Sequence, residues 1–252
     1  MADTVTEVLA APLPPGSRRR RPRPLVTWAG LVVGTAVAVV LVAPAFGSRP
    51  PAGEDVMAHL VRADFAIPEL VGRGRLDGWF PRFFLGHQEF LVNGPGVVWL
   101  MAAVRGLTAG LLSNTGALKV VATGSLVALV PAAWFLARSF GLSHAAAGLG
   151  AVLATCVSNP FGLGLEGLFD VGLIPHQVGG VLFCVALGAG VRLLHDGRRS
   201  WAVLAAGALA GLAVTHLISV LVLGVILALC LVALVPARAV TAAGLRRLAG
   251  AG

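Results

Sequence analysis

The chain has 252 residues, of which 57% are hydrophobic and only 12% charged, and its formal net charge is +8. A soluble domain carries about a quarter charged residues, so this composition excludes a water-soluble globule and points to an all-α polytopic membrane protein. The arginines are spread between apolar runs. Topology and anionic lipid headgroups account for them there, and no nucleic-acid partner is expected.

The first 24 residues are polar and proline-rich and end in Arg18-Arg19-Arg20-Arg21-Pro22-Arg23-Pro24. Such a segment cannot bury enough apolar surface to fold, so residues 1–24 read as a disordered basic tail. The run Leu25 to Phe46 is about 22 residues, long enough to span. A cleaved signal peptide is the alternative, with Ala43-Pro44-Ala45-Phe46 as its end, but the run is long for that purpose. The arginines before it hold the N-terminus in the cytoplasm of a multi-pass plasma-membrane protein.

Glu54-Asp55 then opens a polar stretch that reaches almost to residue 120. Six further apolar segments follow: Val97 to Leu112, Val120 to Ala137, Ala145 to Val157, Val171 to Leu194, Trp201 to Val214 and Leu217 to Val235. Thr215-His216 breaks the last two. Arg198-Arg199 and the basic stretch after Val235 should be cytoplasmic. Counting back, residues 47 and 119 fall on the same outer side, so Val97 to Leu112 lies on or dips into the outer leaflet. Its central Arg105 agrees, because a charge at mid-bilayer costs about 3 kcal/mol.

The expected architecture is therefore about six spans over 25–236. Its outer loops are 47–119, carrying juxtamembrane helices, and 158–173, and a basic, truncated cytoplasmic tail occupies 237–252. Of the 11 acids, all but Asp3, Glu7 and Asp196 fall on the outer side. Carboxylates are not sorted by the positive-inside rule, so this asymmetry needs another cause. Cys156, Cys184 and Cys230 sit in apolar segments without a CxxC pair and read as small core residues, suggesting neither a disulfide nor a zinc site. The runs Gly106 to Gly110 and Gly188-Ala189-Gly190 read as helix-packing surfaces.

This layout resembles the GT-C class of integral membrane glycosyltransferases, in which a first span leads to a long outer loop with an acidic motif and a second acidic motif follows the third span. Glu54-Asp55 takes the first position, and Glu166 with Asp170 the second. The stretch Gly74-Arg75-Leu76-Asp77-Gly78-Trp79-Phe80-Pro81-Arg82-Phe83-Phe84-Leu85-Gly86-His87, followed by Asn93-Gly94-Pro95, resembles a pattern in large GT-C-like bacterial membrane proteins. Some of these are labelled as related to 6-pyruvoyl-tetrahydropterin synthase, a soluble enzyme whose metal site is not visible in this sequence. The chain is shorter than such enzymes, which implies an N-terminal module, with a membrane-protein partner or a missing C-terminal region supplying the rest.

The resemblance implies a polyprenyl-phosphate-linked sugar donor used at the extracytoplasmic face, for transfer to a cell-envelope glycan, lipid or protein. Asp55 would be the general base, and His59, at i+4 on the same helix face, would orient it or meet the donor phosphate. The other reading of Glu54 and Asp55 is capping of a helix N-terminus. Glu166 and Asp170 would face the same cavity or help hold a divalent metal ion, which favours oxygen ligands; otherwise they are solvated loop acids. His176 and His216 could face the cavity from the outer ends of their spans. Of Arg62, Arg73, Arg75, Arg82 and Arg105, which either bind donor phosphate or touch lipid headgroups, Arg82 is the best phosphate candidate because it sits in the aromatic motif. Trp79, Phe80, Phe83 and Phe84 read as an interfacial belt, in which Trp79 could also stack on a sugar. The rival readings are a non-catalytic scaffold or lipid-binding protein of the same fold, and a small transporter, which would place its acids inside the spans. No P-loop, GxSxG, HExxH or dinucleotide fingerprint is present.

Overall fold

The computed structural model describes residues 24–234 apart from 48, 50, 83, 84, 91–93 and 161. The two expected tails apart from Pro24, with Phe83, Phe84, Asn93 and the Cys230 side chain, lie outside what it describes, and Pro24 is the first residue of a helix. The fold is a helix bundle. Its helices are α1 (Pro24–Val42), α2 (Val56–Glu69), α3 (Gly96–Leu107), α4 (Asn114–Ser139), α5 (His144–Cys156), α6 (Ile174–Asp196), α7 (Arg199–Thr215) and α8 (Leu217–Leu234). The all-α expectation needs one amendment. Strands β1 (Gly78–Phe80) and β2 (His87–Glu89) pair antiparallel within the 47–119 segment, with Trp79 opposite Gln88.

Three helical segments are long and apolar enough to cross a membrane: Trp28–Phe46, Asn114–Ser139 and Ile174–Asp196. The remaining apolar helices are shorter. α3 has 12 residues and rises only about 18 Å, well short of a hydrocarbon core of about 30 Å. Val32, Val40, Leu217 and Leu221 are exposed. In water that surface would aggregate, whereas in lipid it is the ordinary outer face of a bundle.

α4 and α6 form the centre. α4 packs on α1, α5 and α6, and α6 packs in turn on α7 and α8. α1 and α5 cross backbone to backbone where Gly30 meets Gly148, and a Cβ on either would run into the other's Cα. Small residues allow this close approach where van der Waals packing has to hold helices together. Gly188 plays a similar part against the Phe135 ring, but Gly106, Gly110 and Gly190 face open space and are not packing surfaces.

Several other boundaries differ from expectation. α4 begins six residues early, because Ser113 caps it by accepting a hydrogen bond from Gly116 N–H. Lys119 is therefore a buried residue of α4 rather than the end of a loop, and its Nζ donates to Gly47 O. Cys156 is exposed, not a core residue.

The main core cluster lies where the long loop meets the bundle. Val56 and Leu60 of α2 and Met101 of α3 pack on Leu118 and Ala122 of α4, Leu168, and Ile174 and Val178 of α6. This apolar contact seats the start of α2 against the start of α6.

Candidate functional site

Two acidic segments meet at that seat. Asp55 N–H donates to Val171 O at 2.8 Å, and Glu54 N–H donates to Asp170 O at 3.4 Å. The approach requires glycine on both sides. Gly53 has φ +127° and Gly172 φ +90°, in the left-handed region that favours glycine. A Cβ on Gly172 would sit 2.9 Å from Val56 N, and one on Gly53 would sit 3.0 Å from Gly172 N.

Asp55 occupies the N-cap position of α2, but its side chain makes no capping hydrogen bond. The capping reading is thus not realised by the carboxylate, which stays exposed beside that of Glu54. His59 N–H donates to Asp55 O at 3.1 Å, so the two residues are one helical turn apart. The His59 ring reaches across the junction, with Nε2 3.1 Å from Gly172 O. A carbonyl only accepts, so the neutral ring carries its proton on Nε2 and its lone pair on Nδ1. Burial, aided by the nearby Arg62 guanidinium, pushes the His59 pKa below the ordinary imidazole value, while the Gly172 carbonyl and Asp55 pull the other way.

On the opposite side, Gly167–Val171 is a π-helical turn that leaves both Glu166 and Asp170 exposed. π turns are uncommon and often occur at functional sites. Its approach is held by Glu166 N–H donating to Ser158 Oγ at 2.9 Å, and by Gly164 N–H donating to the buried Gln177 Oε1 at 2.9 Å. His176, in the first turn of α6, packs edge-on against His216 at the α7–α8 break, with ring centroids 4.8 Å apart. His216 Nδ1 lies 2.6 Å from Ser219 Oγ.

The arginines and aromatics of the hairpin stand elsewhere. Arg82 lines a cleft of about 420 Å³ with Asp64, Phe65, Glu69 and Phe80. That cleft lies along α2 from Val61 to Glu69, about 9–21 Å along the helix from Asp55 at 1.5 Å per residue. Trp79 is exposed, and its indole lies over Gly86. Phe80 is not part of a belt: it is buried and stacks on Phe65 at 4.3 Å.

Arg62 is committed to an ion pair, with Nε 2.7 Å from Glu89 Oε1, and His87 Nε2 is 3.2 Å from Glu89 Oε2. Arg73 pairs with Glu69 on the surface, and Arg105 donates to Asn114 Oδ1, whose amide donates to Asp64. Arg62, Arg73 and Arg105 therefore each have a protein partner.

The structure thus brings together Glu54, Asp55, His59, Asp170 and the main chain of Gly172. It does not join Arg82 or Trp79 to them. Sequence reasoning missed Gly53 and Gly172, although each has a local signal: a glycine directly before an acidic pair, and one just ahead of the Leu173-Ile174-Pro175 helix start. It also missed Arg62–Glu89, which no local pattern marks. Among the described residues no group of three His, Cys, Asp or Glu side chains converges as a ready-made metal site.

Compared with protein-family models and with curated proteins, the chain matches none.

Proposed function

We propose that the chain is a membrane glycosyltransferase of the GT-C kind, moving a sugar from a polyprenyl-phosphate carrier to an acceptor hydroxyl at the extracytoplasmic face. The observation that carries this reading is the junction of Gly53–Asp55 with Asp170–Gly172. It joins two acidic segments far apart in sequence while leaving the carboxylates exposed. A scaffold needs no such pair of exposed acids, and a transporter would place them within its spans.

In the proposed reaction, the Asp55 carboxylate takes the proton of the acceptor hydroxyl as its oxygen attacks the anomeric carbon. The carbon–oxygen bond to phosphate breaks, and the lipid phosphate leaves with the bonding electrons. No step is assigned to a metal. His59, fixed by Gly172 through Nε2, keeps its Nδ1 lone pair available to accept from a substrate hydroxyl one helical turn from Asp55. Glu54 and Asp170 bind acceptor or sugar hydroxyls. In this reading Glu166 and His176 meet further substrate hydroxyls, and Arg82 and Trp79 meet a more distant part of the substrate.

Two further features support a lipid-linked donor. An apolar groove of about 700 Å³ runs between α1 and α4, lined by Val39, Val42, Phe46, Val120, Val127 and Pro131. Lys119, bonded to Gly47 next to Phe46, brings a positive charge to its upper end. The orientation that goes with this reading has six crossings, a cytoplasmic N-terminus and α3 at the outer surface. α5, with 13 residues rising about 20 Å, is the shortest crossing and requires local bilayer thinning.

The test is release of labelled sugar from a polyprenyl-phosphate carrier by membranes containing the protein. Asp55→Asn, expressed at the normal level, should lose transfer by about 100-fold or more, the range for a general base. Unchanged transfer would remove the catalytic assignment and leave the scaffold reading.

A further inference from the structure

A second cleft lies at the other end of the bundle, one α6 length away from the acidic junction. It is framed by the last turns of α4 and α6 and the first turns of α5 and α7, and has a volume of about 570 Å³. Arg138, Arg192 and Arg198 line it, against one carboxylate, Asp196. Among the described residues none of these arginines forms an ion pair. Asp196 accepts instead from Trp201 Nε1 at 3.1 Å.

Two of the arginines are held by main-chain carbonyls. Arg192 Nη2 donates to Arg138 O at 3.0 Å, and Arg138 Nη1 donates to Leu142 O. These bonds fix the guanidinium groups without neutralising them. Three buried nitrogens of cleft-lining residues also lack a hydrogen-bond partner: Arg192 Nε, Trp134 Nε1 and His144 Nδ1. Arginine and tryptophan nitrogens are donors only, so what they lack is an acceptor. Buried donors of this kind are rare in native proteins and call for a specific explanation.

We infer that this cleft is a binding site for a phosphate-bearing ligand, with the phosphate oxygens accepting from Arg192 Nε, Trp134 Nε1 and the Arg138 guanidinium. Guanidinium groups match phosphate oxygens in paired geometry, and their weak hydration lowers the cost of enclosing them. The aromatic rings beside them suit an amphipathic molecule. Trp134 stacks on Trp28 at 6.1 Å, which sets this wall among the ends of apolar helices, at the level where bilayer headgroups lie. The ligand is therefore an anionic phospholipid headgroup or a soluble phosphate ester. The site does not depend on the glycosyltransferase reading, since it shares no residue with the acidic junction.

The experiment uses the full chain purified in a phosphate-free maltoside detergent, titrated with phosphatidylglycerol or with glycerol 3-phosphate. Binding is read from the unfolding temperature and by native mass spectrometry. The wild type should respond saturably to at least one probe. A response to phosphatidylglycerol alone assigns a lipid; a response to both assigns the phosphate itself. Arg192→Gln should weaken the response about ten- to hundredfold, the loss expected for charge-assisted hydrogen bonds. Trp134→Phe, which keeps a ring and removes one N–H, should weaken it about three- to tenfold and serves if Arg192→Gln does not fold. Asp77→Asn, an exposed site just ahead of β1, should change nothing. No saturable response of the wild type to either probe would overturn the inference, as would equal losses in Asp77→Asn and Arg192→Gln.

Discussion

Arg62 of α2 and Glu89 of β2 are ion-paired across the helix–hairpin interface, with both side chains buried. Each desolvated charge is balanced chiefly by the other, with His87 Nε2 also 3.2 Å from Glu89 Oε2. Removing one partner takes the main counter-charge from a buried group, which typically costs about 3–5 kcal/mol, whereas replacing both by apolar residues is often neutral. Arg62→Met and Glu89→Leu should each lower the unfolding temperature of the purified protein sharply, and the double variant should recover most of the loss. Single variants indistinguishable from wild type would show that the pair is solvated in the native ensemble.

The glycine junction makes a different demand. Gly172→Ala puts an alanine at φ +90° and a methyl group 2.9 Å from Val56 N, so it should cost about 1–3 kcal/mol and pull the two acidic segments apart. Hydrogen exchange at the Asp55 amide, now bonded to Val171 O, should accelerate. Gly106→Ala is the control: it lies in α3 with open space around it, and alanine there should stabilise by up to about 1 kcal/mol. Equal exchange at Asp55 in wild type and Gly172→Ala would mean that the glycines are not what holds the segments together.

The lowered pKa of His59 predicts the sign of a pH effect. Between its folded value and the ordinary value of about 6.5, the unfolded chain binds the proton that the folded chain refuses, so stability rises with pH through that window. The contribution is fully present above about pH 6.5 and is lost as pH falls through the folded value. His59→Gln, which can still donate to Gly172 O, should flatten this part of the stability profile. A profile of unchanged slope in His59→Gln would place the titrating group elsewhere.

The apolar runs made the bundle legible, because lipid-compatible segments separated by charges leave few alternatives. Boundaries were lost where polar residues belong to helices. Lys119 reads as a loop residue, yet the Ser113 cap starts the helix before it. The hairpin was hidden because its strands are only three residues each and its turn relies on positive φ at Leu85 and Gly86. At the candidate site, the i, i+4 spacing of Asp55 and His59 identified a shared helical turn. The burial of Arg62 against Glu89, 27 residues away, left no local trace, since two charges that neutralise one another look like any other solvated pair in a sequence.

The bond between His59 and Gly172 spans 113 residues of chain. Ribosomes add roughly 5–20 residues per second, so on the order of 6–20 seconds separate the synthesis of its two ends. Throughout that interval the start of α2 has only part of its docking surface: Val56 and Leu60 can meet Met101 and Leu118 once α3 and α4 are made, but not the Leu168 and Ile174 they later cover. The acidic junction is thus a late product of biogenesis. A chain arrested before α6 emerges holds Glu54 and Asp55 without their counterpart, which makes the nascent α2 a natural target for chaperones and membrane proteases.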